Sequence, residues 1–158
     1  MRLFNRLVAI LMAVATTLMA GCEKPAPIPT EEHMPVTYDE IYGRWQMTLW
    51  QGSPIAEDTY VYIEFNGDAR TYIMWDNIGS MYAVKSTGTF TITEEEDGRY
   101  TLTGTYDYGK GDWSNEYYVE ILDQSNILRW RAKEANEVFD FQRIAEIPEL
   151  NSHNNKPR

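Results

Sequence analysis

Eight short stretches of this chain alternate between apolar and polar residues, and segments rich in glycine, asparagine or charged residues separate them. In the first stretch, Trp45, Met47 and Leu49 are separated by polar residues and therefore fall on one face of an extended strand. The pattern is most regular where Tyr100 and Leu102 alternate with threonines. The predicted strands cover residues 43–50, 59–65, 69–75, 81–93, 99–108, 116–122, 127–132 and 138–143.

The connections between these strands are short, and several carry strong turn signals. Asn66-Gly67 favours a two-residue hairpin because both residues tolerate a positive φ. Beyond a single turn over 38–42, no stretch has the periodicity of an amphipathic helix. Consecutive hairpins predict an all-β fold, an eight-stranded antiparallel up-and-down barrel, which closes to remove its open edges. A Greek-key sandwich is the alternative, although it needs longer crossing connections.

The N-terminus has the layout of a secretory signal peptide. Arg2 and Arg6 precede an apolar run over 7–19, which is shorter than the ~20 residues that cross a bilayer. The small residues Ala20-Gly21 stand directly before Cys22, the only cysteine. The predicted organisation is a signal peptide over 1–21, a cysteine and Pro-rich tether over 22–37, a barrel over 38–147 and a flexible tail over 148–158.

The charge of the chain limits its partners. The net charge is −10, and removal of Arg2 and Arg6 with the signal peptide makes the remainder more negative by two. Such a surface repels nucleic acid and anionic membranes, because phosphate binding depends on clustered Lys and Arg. Adhesion to a bilayer must therefore come from a lipid rather than from charge. A single cysteine also allows no intramolecular disulfide.

Few residues in the predicted barrel are suited to catalysis. The two histidines, His33 and His153, fall in the tether and the tail, so general-base catalysis has few candidates in the domain. The carboxylates of 94–97 are consecutive, which is more typical of a solvated turn than of a calcium site. We expect neither an enzyme nor a resident cofactor or metal.

The segment before Cys22 resembles the lipobox of bacterial lipoproteins, with Met19 where an aliphatic residue is usual. The resemblance implies that the Cys22 thiol is acylated and becomes the new N-terminus, and several acyl chains together anchor a protein firmly. Glu23 follows, whereas Asp at this position favours retention in the inner membrane of such lipoproteins. We expect an outer-membrane location in the cell envelope. The alternative is an ordinary signal peptide with an incidental cysteine.

Two motifs resemble the lipocalin-like, or calycin, barrels. Gly43-x-Trp45 begins the first strand, and Arg143 ends the last strand. In that superfamily the tryptophan closes the narrow end of the barrel and the arginine packs across its ring, a contact that contributes about 0.5–2 kcal/mol. The pattern is closest to small lipocalin-like lipoproteins of Gram-negative bacteria. The first connection, 51–58, is shorter than in lipocalins, and the long helix that follows the barrel is missing.

An eight-stranded barrel has room for its own side chains or for one small ligand. The side chains predicted to point inward are Trp45, Met47, Leu49, Val61, Ile63, Phe65, Phe90, Leu102, Val119, Leu128, Trp130, Phe139 and Phe141. They suit a filled core and a pocket lining equally well. The aromatic residues predicted to contact a ligand near the open end are Tyr72, Tyr100, Tyr106, Tyr117, Trp75 and Trp130, with Trp113.

Two functions fit this pattern. The first is binding of a small apolar or amphipathic ligand in the open end of the barrel. The alternative is a protein-interaction or inhibitor module, with a filled interior and an outer surface that contacts another protein. Its predicted outward-facing aromatic residues are Trp50, Tyr60, Tyr62 and Tyr118, a residue type common in binding hot spots. An acidic barrel would attract a basic partner.

Overall fold

The computed structural model describes residues 35–108 and 111–150. The predicted signal peptide, Cys22 and nearly all of the tether lie outside this part, as do 151–158 of the predicted tail. Within it, one short helix precedes nine strands. Their bounds are α1 Tyr38–Ile41, β1 Gly43–Trp50, β2 Ser53–Pro54, β3 Val61–Asn66, β4 Thr71–Asp76, β5 Val84–Glu94, β6 Tyr100–Gly104, β7 Tyr117–Leu122, β8 Ile127–Ala132 and β9 Val138–Ile144.

The strands form a closed barrel. From β3 to β9 each strand pairs antiparallel with the next, and β1 pairs with both β3 and β9. The two-residue β2 adds only to one end of β1. This confirms the prediction of an all-β, eight-stranded antiparallel up-and-down barrel. Closure satisfies the backbone hydrogen bonds that an open sheet would expose at its two edges.

The two ends of the barrel differ. At the first, which we call the floor, α1 meets the start of β1, and the β3–β4, β5–β6 and β7–β8 turns lie here. At the second, the open end, lie the connections 51–60, 77–83, 105–116 and 133–137. Because up-and-down strands alternate in direction, successive connections fall at alternate ends.

Alternating side chains from every barrel strand form one buried core. In β3, for example, Val61, Ile63 and Phe65 are buried on the inner side. The buried apolar residues are Val36, Ile41, Trp45, Met47, Val61, Tyr62, Ile63, Phe65, Tyr72, Phe90, Leu102, Val119, Ile121, Leu128, Trp130, Ala132 and Phe141. The inward face predicted from the alternation is therefore correct for most strands.

The first strand departs from the prediction after Met47. Met47 lies opposite Phe141, but Leu49 lies opposite Asp140 and Trp50 opposite Phe139, because a β-bulge at Thr48 inserts one extra residue. Directly opposed residues share a face of the sheet, so Leu49 turns to the outer face with Asp140. Trp50 turns to the inner side, and its ring centroid lies 5.8 Å from that of Phe139. The predictions for both residues were wrong.

The fifth strand begins later than predicted, at Val84 instead of Met81. Gly88, within this strand, allows a close approach between two backbone segments. The strand is continuous through Gly88, which lies opposite Tyr72. A Cβ at Gly88 would lie 1.7 Å from the carbonyl oxygen of Thr105, so only glycine fits there.

The short helix α1 joins the chain to the floor. The Thr37 side chain accepts a hydrogen bond from the Glu40 amide at 3.2 Å and caps the helix. Ile41, its last residue, is fully buried. The Tyr38 hydroxyl accepts a hydrogen bond from the amide of Ile92 at 3.1 Å, which ties α1 to β5.

Two carboxylates, Glu95 and Asp97, are paired with neighbouring cations. Glu95 accepts hydrogen bonds from the Thr101 hydroxyl and, at 3.1 Å, from the Lys133 ammonium. These two bonds hold the pKa of the Glu95 carboxyl below its ordinary value. Hydrogen bonds from Arg99 likewise lower the pKa of Asp97.

The lowered pKa values predict a loss of stability in acid. The unfolded chain binds protons more readily at these carboxyls than the folded barrel does, so the free energy of unfolding should fall as pH decreases from about 5 to about 3. Replacement of Glu95 by Gln should make that fall shallower. Urea unfolding followed by tryptophan fluorescence at several pH values measures it, with Glu96→Gln as the matched control. Equal pH dependence in both variants would contradict the assignment to Glu95.

Candidate functional site

Trp45 and Arg143 close the floor of the barrel. Trp45 has no exposed surface, and its indole N–H donates to the carbonyl oxygen of Ile41 at 2.9 Å. The Cζ atom of Arg143, directly opposite on β9, lies 4.1 Å from the centroid of the Trp45 ring. A guanidinium at this distance from an indole is attracted by the π-electrons and covers the ring.

Three backbone carbonyls hold the Arg143 guanidinium in place. It donates to the carbonyl oxygens of Ser125 at 2.7 Å, Tyr42 at 2.6 Å and Glu40 at 2.7 Å. Burial lowers the pKa of Arg143, and these bonds offset the cost of removing the cation from water. Gly43 has a φ of +116° beside it, where a Cβ would lie 2.9 Å from the guanidinium. The three predicted floor residues thus lie together.

Aromatic rings fill the barrel above the floor. The ring centroid of Phe65 lies 4.8 Å from that of Phe90 and 6.1 Å from that of Trp130. Trp130 in turn lies 4.9 Å from Phe141 and 5.3 Å from Tyr117. The contacts continue without a break across the interior. These side chains pack against each other in the space where a ligand would otherwise bind.

The ring of Trp113, in the 105–116 connection, fills the open end of the barrel. Its centroid lies 5.1 Å from that of Tyr72 and 5.5 Å from that of Trp130, and its indole N–H donates to the Tyr72 hydroxyl at 2.8 Å. That hydroxyl donates to the carbonyl oxygen of Thr105 at 3.1 Å. A Cβ at Gly104 would lie 2.3 Å from the Trp113 ring, so glycine lets the ring reach the interior.

The environment of the two central tyrosines favours the neutral phenol. Burial raises the pKa of Tyr72, and the hydrogen bond from Trp113 offsets part of that rise. Burial also raises the pKa of Tyr117. Both hydroxyls therefore act as hydrogen-bonding groups and not as bases at neutral pH.

The structure brings only some of the predicted ligand residues together. Tyr72, Tyr117 and Trp130 all contact Trp113. Tyr106 packs against the core near the open end, whereas Tyr100, which lies opposite Glu94, packs near the floor.

Trp75 lies apart from all of these residues. It is opposite Tyr62 on the outer face, with the Lys85 ammonium 5.8 Å from its ring centroid. The expectation that Trp75 joins the others was wrong, because Tyr72 already points inward and residues three apart on a strand point to opposite faces.

The outward aromatic residues do not form the predicted surface. Tyr62 is buried although it faces outward, and its ring stacks on Tyr60 at 5.4 Å. The Tyr118 ring is covered by Arg99, whose Cζ lies 3.8 Å from its centroid, and by Lys133 at 5.2 Å. Trp50 is 39% exposed but lies on the inner side, next to Phe139.

A different exposed apolar surface lies at the open end, over residues 77–84 between β4 and β5. We call it the open-end apolar loop. Its exposed side chains are Ile78 at 49%, Met81 at 84%, Tyr82 at 41% and Val84 at 42%. The predicted strand over 81–93 included Met81, so this surface was not predicted. The four apolar residues around Gly79 and Ser80 are the sequence signal for it.

Three grooves on the outside of the barrel are large enough for a small molecule. One, of about 660 Å³, lies over the threonines of β5 and β6 beside Trp113. Another, of about 680 Å³, lies between Trp75, Lys85 and the segment 145–150. The third, of about 310 Å³, lies between Lys85 and Tyr106. The first groove reaches Phe90 and Gly104 next to Trp113.

Residues 35–108 and 111–150 contain neither a metal-binding cluster nor a helix that could span a membrane. No cluster of three or more His, Cys, Asp or Glu side chains in this part could hold a metal ion. No helix in it is long and apolar enough to cross a membrane.

Comparison with protein-family models, curated proteins and solved structures finds no match. The closed barrel is compatible with a lipocalin-like fold.

The floor geometry predicts a large stability loss when Trp45 is removed. Trp45→Ala should lower the free energy of unfolding by about 3–5 kcal/mol, because it leaves a cavity under Arg143. Trp50→Ala, at the exposed end of the same strand, should lower it by only about 1 kcal/mol. Urea denaturation of both variants gives the comparison. Equal losses would show that the two rings are packed alike.

Proposed function

We propose that this protein is a lipid-anchored lipoprotein of the cell envelope whose lipocalin-like barrel acts as a protein-interaction module without catalytic activity. The observation that supports the choice is the filled interior. Rings from Phe65 to Trp113 occupy the barrel from the floor to the open end. The chemistry of the surface, not of a pocket, then determines what the protein binds.

The packing at the open end argues against a small ligand in the barrel. A pocket for such a ligand measures about 300 Å³ or more. The Trp113 ring fills the space between Tyr72, Tyr117 and Trp130, so a ligand would have to displace it and break its hydrogen bond to Tyr72. The cost of that step would reduce the affinity.

Binding of a small apolar or amphipathic ligand remains the second candidate, and one observation favours it. The indole N–H of Trp130 is buried and makes no hydrogen bond with any atom of residues 35–108 and 111–150. Buried donors are nearly always paired, so an acceptor atom of a ligand would satisfy this group. A buried water would satisfy it equally well.

A fluorescent apolar probe distinguishes the two functions. We expect cis-parinaric acid, a fluorescent fatty acid, to show no saturable one-to-one binding to the wild-type protein. Trp113→Ala should bind it, because removal of the ring leaves an apolar cavity. This variant shows that the assay detects an open barrel. One-to-one binding to the wild-type protein with a Kd below about 10 µM would favour the second candidate.

The lipid anchor has its own test. Cells that make the full chain should incorporate radioactive palmitate into this protein, and Cys22→Ser should abolish the labelling because the acylated thiol is lost. Fractionation of the envelope should recover the wild-type protein with the outer membrane. Labelling that persists in Cys22→Ser, or unmodified Cys22 in the exported protein, would contradict the proposal.

A further inference from the structure

The open-end apolar loop carries more exposed apolar surface than a connection needs. Ile78, Met81, Tyr82 and Val84 are all exposed within seven residues. Connections in water usually consist of polar residues, and a contiguous apolar patch on a soluble domain commonly marks a binding site.

Hydrogen bonds hold this loop in one shape. The Asn77 side chain accepts from the Tyr60 amide at 2.8 Å and donates to the Asp58 carbonyl at 2.7 Å. The Ile78 amide donates to the Asp76 carboxylate at 3.1 Å, and the Tyr82 amide donates to the Ser80 hydroxyl at 3.1 Å. A loop that is already ordered loses little conformational entropy when a partner binds.

A groove lies next to the loop. Val84 lies opposite Asp76, and the neighbouring pair is Trp75 opposite Lys85. The groove of about 310 Å³ begins at Lys85 and includes the ring of Tyr108, which is largely exposed. The groove therefore begins one residue after Val84, whereas Trp75 and Lys85 point to the outer face of the barrel.

The connections at this end of the barrel are acidic. Among the described residues of the four open-end connections, Lys133 is the only Lys or Arg, and it is paired with Glu95 and Glu116. The carboxylates of the same connections are Glu57, Asp58, Asp107, Asp112, Glu116, Glu134 and Glu137. We call these carboxylates the acidic rim. Asp58 is the member that a hydrogen bond from Asn77 to its carbonyl oxygen ties to the loop, and the cation Lys85 lies beside Val84. An apolar patch with charged residues beside it is a common arrangement in a protein interface.

We propose that the open-end apolar loop is a docking surface for a basic protein, which covers Met81 and its apolar neighbours and places Lys or Arg side chains against the acidic rim. This inference rests on the proposed protein-interaction function and names the surface and the class of partner. The charge rim selects the partner and speeds its association. The apolar side chains supply most of the binding free energy.

The same charges disfavour the other two occupants of an apolar surface. An anionic membrane would be repelled by the carboxylates beside the loop, since binding to such a surface depends on Lys and Arg. A second copy of the chain would place one acidic rim against another, because a symmetric dimer brings the same patch together.

Site-specific photo-crosslinking in the cells that make the protein tests the inference. The photoreactive residue p-benzoylphenylalanine replaces Met81 in the full-length chain, and Tyr42, which is 58% exposed near the floor, is the matched control position. We expect irradiation to join position 81, but not position 42, to another protein. Mass spectrometry identifies that protein, and the isoelectric point calculated from its sequence should be above about 8.

Binding of the purified partner to this protein can then be measured directly, as an affinity and an association rate. Met81→Asp should weaken binding of the crosslinked protein by about 10-fold or more, because a charge replaces an apolar contact. Glu57→Gln with Asp58→Asn should slow association and reduce its salt dependence. Neither change affects a core residue, so the circular dichroism spectra of both variants should match that of the wild-type protein.

The possible failures are distinguishable. Adducts from position 81 to phospholipid, to the same chain or to an acidic protein would overturn the docking surface. If position 81 gives no adduct but position 75, on the outer face, captures a protein, the proposed function stands and the inference fails. If none of positions 42, 75 and 81 captures a protein, both the inference and the proposed function fail.

Discussion

The pairing of β1 with β9 is the constraint on which the rest of this structure depends. It joins residues about a hundred positions apart in the sequence and turns a linear series of hairpins into a closed barrel. It also places Arg143 directly opposite Trp45, so that closure and the floor form together. Without it, both strands would expose unpaired backbone groups.

A closed barrel of eight strands leaves a narrow interior, and the aromatic content of this chain fills it. The rings of Phe65, Phe90, Trp130 and Phe141 leave little space between them. Gly104 and Gly88 then matter because each lets another group approach closely: the ring of Trp113 at the first and the backbone of Thr105 at the second. The lack of a Cβ at these two glycines is as important to the packing as the large aromatic rings.

Because aromatic rings fill the interior, the outer surface of the barrel is the part that is open to a binding partner. There some charged groups are paired, as in the contact of Arg129 with Asp140 at 2.7 Å, and the rings of Tyr62 and Tyr118 are covered by neighbouring side chains. The open-end apolar loop differs because its backbone is tied by hydrogen bonds while its apolar side chains stay in water. A binding segment that is already ordered loses little conformational entropy when a partner binds.

The sequence by itself determined the fold class and most of the core. Alternation is a local property, so it identified the strands and the inward positions of β3, β6, β8 and β9, and short connections implied their order. It also indicated that Gly43, Trp45 and Arg143 lie together, through a resemblance in motif. The pattern could not reveal the bulge at Thr48, which reverses Leu49 and Trp50, because the partner strand β9 imposes that register.

Only the tertiary structure decided whether the barrel is full and which apolar residues remain exposed. The same inward residues fit a pocket or a solid core, and the answer came from Trp113, whose connection folds back over Gly104. Likewise, Tyr62 and Met81 look alike as apolar residues in strand-like stretches, yet neighbours cover Tyr62 and leave Met81 in water. Burial depends on residues distant in the chain, and a local pattern carries no information about them.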